Sequence, residues 1–129
     1  MSTDLTMLVA AAFVALFQIW IYGIFAVREV GGKYAAGPRD GGYTVTGIAG
    51  RLQRSYVNIL ETLPLFAIGV LVAHVAGKAD ATTAIASQVY LAARIAYIPA
   101  YAFGSSWMRP VIWGIATAAI VVILFKALF

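Results

Sequence analysis

Residues 46–76, TGIAGRLQRSYVNILETLPLFAIGVLVAHVA, decide how this chain folds. The second half of the stretch is almost wholly apolar, whereas the first half carries Arg51, Arg54, Asn58 and Glu61. Spacings of three, four and three place these side chains on one face of a helix. Pro64 follows three residues later, where its missing N–H relaxes the backbone bonding beside the polar stripe. On a soluble helix such a stripe is an ordinary solvated face. In a bilayer, charged groups are costly and face a bundle interior or a water-filled cavity. The rest of the chain chooses between these environments.

Of the 129 residues, 63% are hydrophobic and 11% charged, against about 25% charged in an ordinary soluble domain. A single soluble domain of this size could not hide so much apolar surface, whereas a bilayer removes the need. Leu5 to Val27 carries no charge and is long enough to cross a hydrocarbon core of about 30 Å. A cleaved signal peptide would need a basic start and a small-residue cleavage pattern. The chain instead starts with Asp4 and has no such pattern before Arg28, so a retained helix is expected. A third run, Ala81 to Phe103, contains one charge, Arg94. A fourth starts at Pro110, suited to the first turn of a helix, and ends near Phe129, with Lys126 able to snorkel to headgroups. These runs predict an all-α, polytopic membrane protein. A single domain, 1–129, is expected to form a four-transmembrane-helix bundle with helices near 5–27, 46–76, 81–103 and 110–129.

The connections fit this division. Arg28 to Tyr43, REVGGKYAAGPRDGGY, is rich in glycine and reads as a loop, not a helix. Gly77 to Asp80 forms a tight turn with Asp80 as N-cap of the third helix. Gly104 to Arg109, GSSWMR, is a second tight turn, with Trp107 suited to the interfacial belt. The basic residues Arg28, Lys33, Arg39, Arg51, Arg54 and Arg109 fall on one side, against Lys78 and Lys126 on the other. The positive-inside rule puts the long first loop and the Arg109 turn in the cytoplasm and both termini outside.

Composition also excludes several chemistries. The chain has no cysteine, hence no disulfide, thiolate zinc site or protein thiol nucleophile. His74 has no partner at ligand spacing, so no metal site is expected. The net charge of +4 is spread between apolar runs, which suits lipid headgroups and an anionic ligand rather than nucleic acid.

Arg94, Tyr97 and Tyr101 share a face of the third helix at spacings of three and four. Glu61 and Arg94 each lie seven residues from the interfacial ends of their stripes, roughly 10 Å deeper. A buried Glu61–Arg94 pair at matching depth is therefore expected, positioning its neighbours rather than reacting. Arg51, Arg54, Asn58, Tyr97, Tyr101 and Arg109 would then line an electropositive pocket open to the cytoplasm. Each residue taken alone has a plainer reading. Arg51 would snorkel, Arg54, Asn58 and Glu61 would bridge helices, and Tyr97 and Tyr101 would be belt aromatics.

The combination Arg54-x-x-x-Asn58-x-x-Glu61-x-x-Pro64, then Arg94-x-x-Tyr97-x-x-x-Tyr101, then Arg109 resembles the MAPEG family, membrane-associated proteins in eicosanoid and glutathione metabolism. The likeness covers essentially the whole chain and is greatest to short bacterial members. It implies a homotrimer in the bacterial inner membrane, with glutathione as thiol co-substrate bound between helices of adjacent subunits toward the cytoplasm. It assigns Arg54, Asn58, Glu61, Arg94, Tyr97 and Tyr101 to holding glutathione and makes Arg109 the match for the arginine that stabilises the thiolate. Two positions depart from the pattern: some relatives have arginine where this chain has Val57, and Pro110 stands where one relative offers a hydroxyl.

The residue types suit that chemistry. Forked guanidinium donors at Arg51 and Arg54 match the carboxylates of glutathione. A thiol with a pKa near 8.5 needs about 1.4 kcal/mol of differential stabilisation per unit of lowering, which an adjacent arginine supplies. A hydroxyl from Tyr97 or Tyr101 would add a hydrogen bond. The implied activity is a membrane transferase or peroxidase, in which Arg109 and Tyr101 act on a lipophilic electrophile or hydroperoxide drawn from the surrounding lipids. Two other classes stay open. A non-catalytic scaffold would use the polar cluster for packing alone. A small multidrug transporter would share the four short helices but needs a carboxylate in its first helix, which here has no charge.

Overall fold

The computed structural model describes residues 1–129 and contains helices and connecting turns, without strands. Helix α1 spans Thr3–Val30, α2 Gly32–Ala36, α3 Gly47–Val75, α4 Ala81–Phe103 and α5 Met108–Leu128. Three of them, α1, α3 and α5, are long and apolar enough to cross a membrane. Helix α4 has 23 residues but no stretch of span length as apolar as those of the other three. Its buried seam includes Thr83, Ser87, Tyr90, Arg94 and Tyr97, spaced four, three, four and three. Polar groups thus line the inside of the bundle while large apolar side chains coat the outside. Phe13, for example, is 68% exposed, and Trp20, Ile68 and Phe125 also face outward. Such an apolar exterior around a packed core suits a lipid surround.

α4 packs most extensively on α5 and α1 on α3, with α5 and α4 closing the bundle. The core gathers Phe66 and Val70 of α3, Tyr90 of α4 and Ile120 and Ile123 of α5, interleaved with Ala11, Ala86, Ala93, Ala116 and Ala119. The alanines allow close helix approach where hydrophobic exclusion from water offers no drive. Gly69 is the tightest point. A Cβ there would stand 2.9 Å from Ile123 Cγ2 and 3.2 Å from a Leu124 methyl. Gly69→Ala is expected to push α3 from α5, lowering stability by about 1–3 kcal/mol, read as a fall in thermal unfolding temperature.

The segment expected to be a loop, 28–43, is partly helical. α1 runs on through Arg28 and Glu29, and α2 adds a short helix. Only Gly31, at φ 90°, separates them, a conformation open to glycine because it lacks a Cβ. The segment is then tied down by side chains that composition alone does not reveal. Tyr34 donates to the Arg39 carbonyl at 3.1 Å and accepts from the Tyr43 N–H at 2.8 Å. Glu29 accepts from the N–H and hydroxyl of Thr46, fastening the end of α1 to the start of α3.

At the opposite end, Asp80 caps α4. It accepts from the N–H groups of Thr82 and Thr83, Thr83 completes the capping box, and Lys126 of α5 pairs with Asp80 at 2.6 Å. The Lys126 hydrogen bond, followed by the Thr83 N–H, holds the Asp80 carboxyl below the usual carboxylate range. A depressed folded-state pKa means that this contribution is present above the unfolded-state value and is lost as pH falls through the folded-state one. Acidification to below the ordinary carboxylate range is therefore expected to lower the unfolding temperature. Asp80→Asn, which keeps the cap, should flatten that part of the pH profile.

Candidate functional site

α3 and α4 run antiparallel, and their polar stripes meet near the α4–α5 turn. A cleft of about 370 Å³ opens there, lined by Gln53, Arg54, Val57, Asn58, Glu61, Tyr97 and Tyr101. At its outer end the Arg54 Nε–H donates to the Tyr101 hydroxyl at 2.9 Å. One turn deeper, the Arg94 Nη1–H donates to Asn58 Oδ1 at 2.8 Å. Another turn deeper, the hydroxyls of Thr62 and Tyr90 meet at 2.9 Å, with Tyr90 stacked on Phe66. These three rungs, at residues 54, 58 and 62 of α3, follow the four-residue helical repeat.

Arg94 is 0% exposed, behind Asn58 and Tyr97, and its guanidinium lies 4.5 Å from the centre of the Tyr97 ring. Nε and Nη2 have no hydrogen-bond partner within the protomer. The expected Glu61–Arg94 ion pair does not form, for Arg94 bonds Asn58 and Glu61 is exposed at the cleft. The reason is azimuth, not depth. Three residues turn Glu61 by about 60° from Asn58, off the α4-facing line that Thr62 continues. The carboxylate therefore faces the open side, and the buried cation keeps an amide oxygen as its one hydrogen-bonding side-chain partner.

Tyr101 joins the cleft to the turn. Beyond its bond from Arg54, it carries the Arg109 guanidinium over its ring at 4.5 Å, and Arg109 Nη2–H donates to the Tyr101 carbonyl at 3.3 Å. Arg109 lies in the first turn of α5, since that helix starts at Met108 rather than Pro110. Its Nε is also buried and unpartnered. Arg109 thus reaches the cleft through Tyr101 without lining it. Arg51 stands further out, its Nη1–H donating to the Ala102 carbonyl at 3.2 Å, and it ties α3 to the end of α4.

Of the residues singled out from the sequence, Arg54, Asn58, Glu61, Tyr97 and Tyr101 converge on the cleft, Arg94 lies directly behind it, and Arg51 and Arg109 stand at its rim. Sequence reasoning passed over Gln53, which lines the cleft and whose Nε2–H donates toward the Tyr22 hydroxyl at 3.5 Å. It also passed over two buried pairs, Gln18–Ser55 at 2.8 Å and Thr62–Tyr90. An amide amid the apolar run of α1 was the available signal for the first, because such a group in a membrane core needs a partner. Thr62 and Tyr90 resemble ordinary helix residues until the helices are paired. No cluster of three His, Asp or Glu side chains converges as a metal site.

The arrangement suits an anionic ligand with an amine. Arg54 at the mouth and Arg94 below provide donors, Glu61 at the open side provides a carboxylate, and the tyrosine hydroxyls add neutral contacts. The family model for the MAPEG family matches residues 5–129, nearly the whole chain. No curated protein matches it.

Proposed function

Since this membrane protein belongs to the MAPEG family, we propose that it binds glutathione in the α3–α4 cleft and transfers the thiol to lipophilic electrophiles or uses it to reduce lipophilic hydroperoxides. The observation that carries the reading is Arg94, a fully buried cation directly behind the open cleft, with two unpartnered donors and no carboxylate paired with it. A buried charge left so is expensive, and a ligand carboxylate approaching past Asn58 and Tyr97 would compensate it. Arg54 would take the second carboxylate and Glu61 the ammonium group. In this proposal all four long helices span the inner membrane of a bacterium, the protein is a homotrimer, the cleft faces the cytoplasm and both termini lie outside. Arg51 belongs to the rim of the site as a rail for the same anion.

In the transferase reaction the thiol proton leaves to water in the open cleft. The resulting thiolate forms a carbon–sulfur bond while the leaving group departs with its electron pair. In the peroxidase reaction the thiolate attacks the hydroperoxide's terminal oxygen, and the alcohol departs after taking up a proton. A second glutathione then converts the sulfenic acid to disulfide and water. Arg109, with Tyr101, is assigned to stabilising the thiolate, because a fixed guanidinium beside the sulfur favours the anion.

A packing role has one observation in its favour: Arg54–Tyr101 and Arg94–Asn58 already join α3 to α4 within one protomer. Thiolate absorbance distinguishes the two readings. Glutathione added to the purified protein at neutral pH is expected to give the ultraviolet band of a thiolate, and to turn over with a lipophilic aryl halide or an organic hydroperoxide. A folded oligomer that yields neither band nor product would overturn the catalytic reading.

A further inference from the structure

Away from the cleft, α4 and α5 enclose a second concavity of about 420 Å³ with a different character. Ala86 and Ala119 form its floor, and Ile85, Val89, Ile115 and Val122 rise as its walls. On each helix the lining residues recur at three- and four-residue spacings, so the groove follows the helix pair for about 10 Å, from Thr82 to Val89. Its walls are exposed, as is Ala118 at its edge. At the end nearest the α3–α4 turn, the groove runs up to the Lys126–Asp80 ion pair. This pair is accessible, with the two side chains 38% and 43% exposed, and Lys78 places a further ammonium nearby through its bond to the Leu128 carbonyl.

We propose that this groove is a binding site for a phospholipid with a primary-ammonium headgroup, one acyl chain lying along Ala86 and Ala119 and the headgroup straddling Asp80 and Lys126. The charge pattern selects the occupant. Lys126 keeps donors free for a phosphate, with Lys78 beside it. Asp80 keeps acceptor capacity on the oxygen that Lys126 uses, since the helix cap engages the other. An ethanolamine headgroup offers both complements in one molecule, whereas choline has no N–H to donate and glycerol has no positive charge. A second copy of the chain fits less well. Covering the groove with another helix would desolvate the ion pair without providing further partners for it.

The chain has no cysteine, so a single introduced one reports cleanly. Delipidated protein in detergent would be mixed with phosphatidylethanolamine, phosphatidylcholine or phosphatidylglycerol and the retained lipid counted by native mass spectrometry. Phosphatidylethanolamine is expected to be retained about tenfold more strongly than phosphatidylcholine, the scale of one charge-assisted hydrogen bond. Asp80→Asn, which keeps the helix cap but removes the carboxylate facing the ammonium group, should remove most of that preference, whereas Lys126→Gln should lower retention of all three lipids. Ala118→Leu, which fills the groove from its edge without entering the core, should lower retention of every lipid while the oligomer and unfolding temperature are kept. Equal retention of the three lipids, or an Ala118→Leu protein that retains them like the wild type, would overturn the proposal. So would efficient cross-linking of Ala118→Cys between copies, which would identify the groove as a protein interface.

Discussion

Arg94→Met is expected to raise the unfolding temperature of the ligand-free protein while lowering its glutathione affinity by about 100-fold or more. The opposite signs follow from one feature. Arg94 is fully buried, has Asn58 as its sole hydrogen-bonding partner and leaves Nε and Nη2 unpartnered. Methionine has a similar length, fills the space with apolar atoms and removes an uncompensated charge. Replacing buried ionic groups by well-packed apolar ones stabilises by about 1–4 kcal/mol in favourable cases. The loss of Asn58's partner offsets part of this, although Asn58 lines the open cleft and can turn to water. With glutathione present, the variant lacks a buried partner for a carboxylate, and losing one half of such a pair costs about 2–5 kcal/mol, of which 2.8 kcal/mol is about 100-fold. Differential scanning fluorimetry and calorimetric titration read the two effects separately. A variant that unfolds at a much lower temperature would instead make Arg94 a packing residue.

Arg109→Leu should change glutathione affinity only a few-fold and lower kcat about 25-fold at neutral pH. Arg109 lies outside the cleft lining and meets it through the Tyr101 ring, so little ground-state binding is at stake. Its proposed work falls on the sulfur. Two units of thiol pKa correspond to about 2.7 kcal/mol, and lowering it from about 8.5 to about 6.5 raises the thiolate population at pH 7 by about 25-fold. The loss should therefore shrink as pH rises toward the free thiol's own pKa. A purely structural role would not produce that recovery. Arg109→Lys should retain part of the activity, because the charge remains although the forked contacts to Tyr101 do not. A pH-independent loss, or a matching loss in Tyr101→Phe with affinity falling in parallel, would make Arg109 a prop for Tyr101 rather than a thiolate stabiliser.

The membrane character and the polar stripes were legible because both are periodic. Uncharged runs give spans, and three- and four-residue spacings give faces, so Arg54, Asn58, Arg94, Tyr97 and Tyr101 were already grouped before the helices were packed. What the pattern could not supply was the rotation of α3 against α4. The direct partner of Arg94 is therefore Asn58 and not Glu61, although Glu61 lies at a matching depth. Thr62 and Tyr90 escaped notice for the same reason: a buried hydroxyl pair gains its meaning from the facing helix. Glycine content misled over the first part of residues 28–43, where Gly31 alone interrupts the helix, whereas from Gly37 the chain is the expected loop, fastened by Tyr34 and Glu29. Composition counts glycines; it does not say which of them needs a positive φ.

The most direct test is a calorimetric titration of the detergent-purified protein with glutathione, beside Arg54→Ala. Arg54 is exposed at the cleft mouth and bonded to Tyr101, so its loss should leave the fold intact. The account predicts saturable binding to the wild type and affinity about tenfold weaker in the variant, the scale of one hydrogen bond to a charged group. A well-folded oligomer that takes up no glutathione, or binds it equally with and without Arg54, would contradict it.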